Sequence, residues 1–99
     1  MRVSITEAAE ADLVEIGSFI ADDNPPRAES FVYELLDRCR GLAEYPQRYP
    51  VVGTWHGRQL RRCAFGSYLI FYSVLDEMVE INHVVNSARD YLRLLFPED

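Results

Sequence analysis

The chain has 99 residues, a formal net charge of −6, about half its residues apolar and a quarter charged. That is one domain's worth of an ordinary globular composition, and no apolar run approaches the ~18–20 residues that cross a bilayer. All ten basic residues are arginine, and the acidic balance argues against a protein whose main task is to coat a phosphate backbone, since that binding is driven by counterion release.

The start, "MRVSITEAAEADL", carries no apolar block behind its arginine, so no secretory signal is expected and the chain is assigned to the cytoplasm. Arg2 to Ile5 is short and β-branched, and fits an edge or first strand. Thr6 caps the helix that follows, with Glu7 and Glu10 near its positive dipole end. Ala9, Leu13, Ile16 and Ile20 recur on one face of that helix, and Asp22-Asp23-Asn24 ends it. Asn24 then caps a second helix, with Pro25 at the first position, where no N–H is needed. Ala28, Phe31, Val32, Leu35, Leu36, Cys39, Leu42 and Ala43 form its core-facing stripe, within about 140° of arc. Glu29, Ser30, Tyr33, Asp37, Arg40 and Glu44 lie opposite. The short polar turn between the helices predicts an antiparallel hairpin. Cys39 and Cys63 lack any metal-binding or CxxC spacing and read as buried, reduced thiols.

Tyr45-Pro46 ends the second helix. "YPQRYPVVGTWHG" holds two prolines and two glycines and reads as a loop. Arg58–Phe65, Tyr68–Leu75 and Met78–Val85 read as three sequential antiparallel strands joined at Gly66-Ser67 and Asp76-Glu77. Strict alternation places Val79, Ile81, His83 and Val85 on one face of the last strand, with Glu80, Asn82, Val84 and Asn86 on the other. Residues Arg89 to Leu95 form a short final helix and Phe96 to Asp99 a tail. The order β-α-α-β-β-β predicts an α+β domain over residues 1–99, its antiparallel sheet packed on the N-terminal helical hairpin.

The chemistry is carried by few residues. Phosphate loops, HExxH, GxSxG and calcium-loop patterns are absent, so neither metal nor cofactor is expected. Glu7/Glu10 and Asp22/Asp23 read as capping and solvation, and His56 as a surface side chain. His83 fits a half-buried, hydrogen-bonded histidine better than a proton carrier. The stretch from Arg48 to Arg62 holds four arginines and no acid. Arg61 and Arg62 are adjacent on a strand and point to opposite faces, where a guanidinium can hold a carboxylate or phosphate. The competing reading for the arginines is a structural ion pair, with Asp90 as one candidate for Arg89. One enzymatic reading has physical content: Arg61, Arg62, Arg89 and Tyr91 around an RNA phosphate, with Tyr91 or His83 moving a proton.

The whole chain resembles the ParE-type toxins of the RelE/ParE superfamily. "AEADLVEIGSFIADDNPPRAESFVYEL" is similar to that family's first helix, Asn-Pro break and second helix, and "LAEYPQRYP" to its helix-end segment. "LRRCAFGSYLIFYSV" resembles its Gly-x-Tyr-x-Ile-x-Tyr hairpin and "VEINHVVNSARD" its closing strand. The family often carries Arg where His83 stands and His where Asn86 stands; Arg89 and Asp90 match its pattern. The resemblance implies a non-enzymatic toxin of a type II toxin–antitoxin system that poisons DNA gyrase and is silenced by a ParD-type antitoxin. It implies contact with that antitoxin through Leu60, Arg61, Arg62, Tyr68 and Arg89, and no direct sequence-specific nucleic-acid binding. The alternatives are a RelE-like ribosome-dependent endoribonuclease using Arg61, His83, Arg89 and Tyr91, and a degenerate member without toxicity.

Overall fold

The computed structural model describes residues 1–96. Its order is β1 (Arg2–Ile5), α1 (Glu7–Ala21), α2 (Pro25–Gly41), β2 (Val51–Trp55), β3 (Arg58–Phe65), β4 (Tyr68–Leu75), β5 (Met78–Asn86) and α3 (Tyr91–Leu95). The strands form one sheet in the order β1-β5-β4-β3-β2. The three expected strands are antiparallel neighbours, whereas β1 runs parallel to β5.

Local chemistry sets the helix ends. Thr6 accepts a hydrogen bond from the Ala9 N–H, and Asn24 from the Arg27 N–H, so each helix begins with a capped orphan donor. Ala9, Leu13 and Ile16 of α1 and Leu35, Cys39 and Leu42 pack against Cys63, Ile70, Tyr72, Val79 and Ile81 of the sheet. A smaller core lies on the opposite sheet face, where Leu95 of α3 covers Leu60, Leu69, Phe71 and Val85. Strand β4 is therefore buried on both sides, which explains its unbroken apolar run from Tyr68 to Tyr72.

The expected loop after α2 contains a strand. β2 pairs antiparallel with β3, and His56-Gly57 forms the reversal with φ of 52° and 79°. Positive φ at both turn residues matches the twist of a two-residue hairpin. A register shift lies between Val51 and Gly53, and Phe96 seats there: a Cβ on Gly53 would fall 2.8 Å from its ring. Phe96 is thus packed against the smaller core rather than part of a tail, and the other expected tail residues, 97–99, lie outside the described residues.

The alternation expected in β5 also breaks. Phe71 pairs with His83 while Tyr72 pairs with Ile81, so Asn82 is an inserted bulge residue. Val79 and Ile81 share a face, as expected, and it is the one that meets the helices. Beyond the bulge Val84 turns to the helices, and Val85 joins the opposite core.

Burial pushes the Cys39 thiol up to about 12, with Cys63 adding to the shift, and burial pushes the Tyr72 phenol up to about 12 against the pull of Arg61. Both groups are neutral when protonated, and the unfolded chain releases their protons near 9.0 and 10.0. Their contribution to stability is therefore complete below those values and is lost as pH rises toward 12. The urea midpoint should fall steadily across that window, and Tyr72→Phe should flatten its upper part; an unchanged slope in the variant would remove Tyr72 from the account.

Candidate partner-binding surface

The five residues expected at a partner surface occupy different environments. Leu60 is fully buried beneath α3 and offers no surface. Its strand position sends it to the sheet face opposite the helices, where Leu95 covers it. Tyr68 is buried to 9% exposure, with its ring 5.6 Å from that of Phe31. It lines a cleft together with Glu15, Phe19, Asn86 and Arg89.

Arg61 and Arg62 do point to opposite faces, and each has an internal partner. The Arg61 guanidinium donates to the carbonyls of Gln47 at 3.1 Å and Tyr49 at 2.6 Å. The Tyr72 hydroxyl donates to the Pro46 carbonyl at 2.6 Å. Together they fasten the segment after α2 to the sheet. This segment turns at Tyr45, a non-glycine residue with a φ of 58°. Arg62 donates to the Tyr91 hydroxyl at 2.9 Å, and the Tyr91 ring lies 5.4 Å from Phe71. That contact holds α3 against the smaller core.

Arg89 differs. Its side chain is exposed and makes neither hydrogen bond nor ion pair with any described residue. The backbone around it is fixed: Asn86 Oδ1 accepts from the Ala88 N–H at 2.8 Å, and the Arg89 N–H donates to the Asn86 carbonyl at 3.0 Å. Asp90 caps α3 through the Arg93 N–H and lies 3.7 Å from the Arg93 guanidinium. The carboxylate next to Arg89 in sequence is thereby engaged elsewhere. Phe19 stands beside the cleft and is 71% exposed.

His83 Nδ1 lies 2.9 Å from Asp12 Oδ2, and the same oxygen accepts the Val84 N–H at 2.9 Å. His83 is the satisfied, half-buried histidine that the sequence implied. Its partner had no sequence signal beyond an acid beside the core residue Leu13, because the contact spans 71 positions. Arg58 and Glu80 form a second unanticipated ion pair. Buried Asn82 donates to the Ser73 hydroxyl at 2.9 Å.

The residues of the enzymatic reading are dispersed. Arg61 reaches the segment after α2, Tyr91 serves Arg62 on the other face, His83 is paired with Asp12 and Arg89 lies beyond β5. Among the described residues there is no group of three potential metal ligands, and no helix is long and apolar enough to cross a membrane.

A helical hairpin packed on one face of a five-stranded sheet in the order β1-β5-β4-β3-β2 defines a small α+β scaffold. The model of the ParE toxin of type II toxin–antitoxin systems, parDE, matches residues 3–91, and the chain belongs to this family. Among solved structures it is similar to a chain of the chromosomal ParDE toxin–antitoxin system from P. aeruginosa. The TM-score is 0.74 at 18% identity, covering 87% of this chain and 95% of that one. At that identity the likeness carries the fold: a RelE/ParE-like α+β domain. No curated protein matches at the level of sequence.

Proposed function

We propose that this toxin acts in the cytoplasm by binding DNA gyrase, not by breaking bonds itself, and that a ParD-type antitoxin silences it. The observation that carries the reading is the family match across residues 3–91. The internal engagement of Arg61, Arg62 and His83 supports it, since these three groups of the ribonuclease reading have structural partners, while Arg89 has none among the described residues. Arg89, free at the mouth of the Phe19 cleft, is the residue best placed to meet an antitoxin carboxylate.

Expression without the antitoxin should arrest growth, accumulate cleaved-DNA complexes and induce the SOS response while messenger RNA stays intact. Cuts in messenger RNA at the ribosome that vanish in Tyr91→Phe would overturn the reading in favour of the ribonuclease. Normal growth with abundant folded protein would point to a degenerate member. The arginines separate by mechanism. Arg89→Glu should weaken antitoxin binding about tenfold, or 1.4 kcal/mol, with the melting temperature unchanged. Arg61→Glu should instead lower the melting temperature, because it deprives two carbonyls of their donor. Titration calorimetry and thermal melts on the same pair of variants distinguish the two effects; equal affinity for Arg89→Glu and the parent would remove Arg89 from the interface.

A further inference from the structure

We infer that the segment between α2 and β2, Tyr45 to Pro50, is the surface with which this toxin grips its target protein; the inference rests on the reading given above and deepens it. A connection between a helix and a strand needs no internal order, yet this one is fixed along its length. The Tyr45 carbonyl accepts from the Arg48 N–H and the Pro50 carbonyl from the Arg62 N–H. The Pro46 carbonyl accepts from the Tyr72 hydroxyl, and those of Gln47 and Tyr49 from the Arg61 guanidinium. Side chains that point out of so rigid a backbone pay little ordering entropy on binding. Tyr45 is one of them: it is 77% exposed and held at a φ of 58°, a conformation that an aromatic residue keeps only where its surroundings impose it. Arg48 is the other. It is exposed, its guanidinium lies 5.6 Å over the Tyr49 ring, and among the described residues it makes neither side-chain hydrogen bond nor ion pair. Tyr49 itself packs against the main core, so stacking places Arg48 and leaves its donors free. An exposed tyrosine beside a free arginine is the composition of a binding hot spot.

Charge selects a protein over a nucleic acid as the occupant. The segment borders a cleft of about 460 Å³, lined by Arg48 and Tyr49 together with Asp37 and Glu44. Glu34 also lines it and is paired with Arg27, whereas Asp37 and Glu44 have no side-chain partner among the described residues. A phosphate backbone laid here would meet two unpaired carboxylates on a molecule of net charge −6. A protein surface with a carboxylate for Arg48, a base for Asp37 and Glu44, and an apolar hollow for the Tyr45 ring satisfies all four side chains. The cleft shares no residue with the one at Arg89, so contact with the target and contact with the antitoxin separate by mutation.

The test uses the full chain, expressed in cells and purified. Tyr45→Gly removes the ring and accepts the positive φ, and Arg48→Glu reverses an exposed charge. Both variants should keep the parent's melting temperature and its affinity for the ParD-type antitoxin. Each should lose growth arrest and bind purified DNA gyrase at least tenfold more weakly. Arrest and gyrase affinity equal to the parent's in both variants sink this inference alone. Arrest relieved in both variants, with a parent that shows no affinity for gyrase, sinks the gyrase reading alone and gives the segment to another target protein. A parent that neither arrests growth nor binds gyrase sinks both. A tenfold loss of antitoxin affinity in Tyr45→Gly would assign the segment to the antitoxin and overturn the inference. So would capture of a short DNA duplex by the parent that Arg48→Glu abolishes, which would assign it to nucleic acid.

Discussion

Leu35→Ala should lower stability by about 2–5 kcal/mol, the range for removing a large aliphatic side chain from a packed core. Leu35 is fully buried at the centre of the α2 stripe, where the helix meets the sheet. Its neighbours belong to two rigid helices and three central strands, so the hole can collapse only in part. For a domain of this size each kcal/mol shifts the melting temperature by about 4–8 °C, so a fall of about 8 °C or more is expected. Tyr33→Ala is the matched control. It sits on the same helix, is 64% exposed, and should change stability by no more than about 0.5 kcal/mol. Urea melts of the two variants decide the matter, and a Leu35→Ala loss under 1 kcal/mol would mean that the helical hairpin is not the main cover of the sheet. Growth arrest by Leu35→Ala should return at low temperature, because the substitution removes stability without touching an exposed residue.

The parts of the fold that were legible in the sequence are those encoded by neighbours in the chain. The limits of β3 and β4 match the expected strands residue for residue, because an apolar run closed by Gly66-Ser67 or Asp76-Glu77 leaves little freedom of register. The capped starts of α1 and α2 were equally plain at Thr6 and Asn24. Strand β2 was not, since a five-residue edge strand with a glycine in it has the composition of a loop. The His56-Gly57 turn, flanked by Trp55 and Arg58, was the usable signal. The bulge in β5 also left a trace: Asn82-His83 and then Val84-Val85 put two polar and two apolar residues in succession, where an uninterrupted strand would alternate. The site was less legible than the fold. Adjacency on a strand separated Arg61 from Arg62 correctly, but what each guanidinium bonds to depends on where the Pro46–Pro50 segment and α3 come to rest. Leu60 was placed at a partner surface by the family resemblance, and the sequence, which shows a short helix after the last strand, does not say which sheet face that helix covers.

Asp12→Ala should cost about 2–4 kcal/mol, although Asp12 lies on a helix surface and not in the apolar core. Strand β1 stops pairing with β5 at Ile5 opposite Ile81, and the Thr6 N–H makes the last backbone bond, to the Ile81 carbonyl. Further along β5 the Val84 N–H has no β1 residue to meet, and the Asp12 carboxylate takes it at 2.9 Å. The same oxygen holds His83, so one side chain of α1 finishes the sheet edge and fixes the residue that follows the bulge. A hydrogen bond to a charged group contributes about 1.5–3 kcal/mol, and a part-buried N–H left without an acceptor costs about 1–3. Asp12→Asn retains an acceptor for Val84 and should lose less than the alanine variant. A double-mutant cycle with His83→Ala isolates the side-chain pair, for which a coupling of at least 0.5 kcal/mol is expected. Faster hydrogen exchange at the Val84 amide in Asp12→Ala reports the backbone half of the contact. If the two substitutions are additive and the Val84 amide stays protected, Asp12 is an incidental neighbour of β5, and α1 is held to the sheet by apolar packing alone.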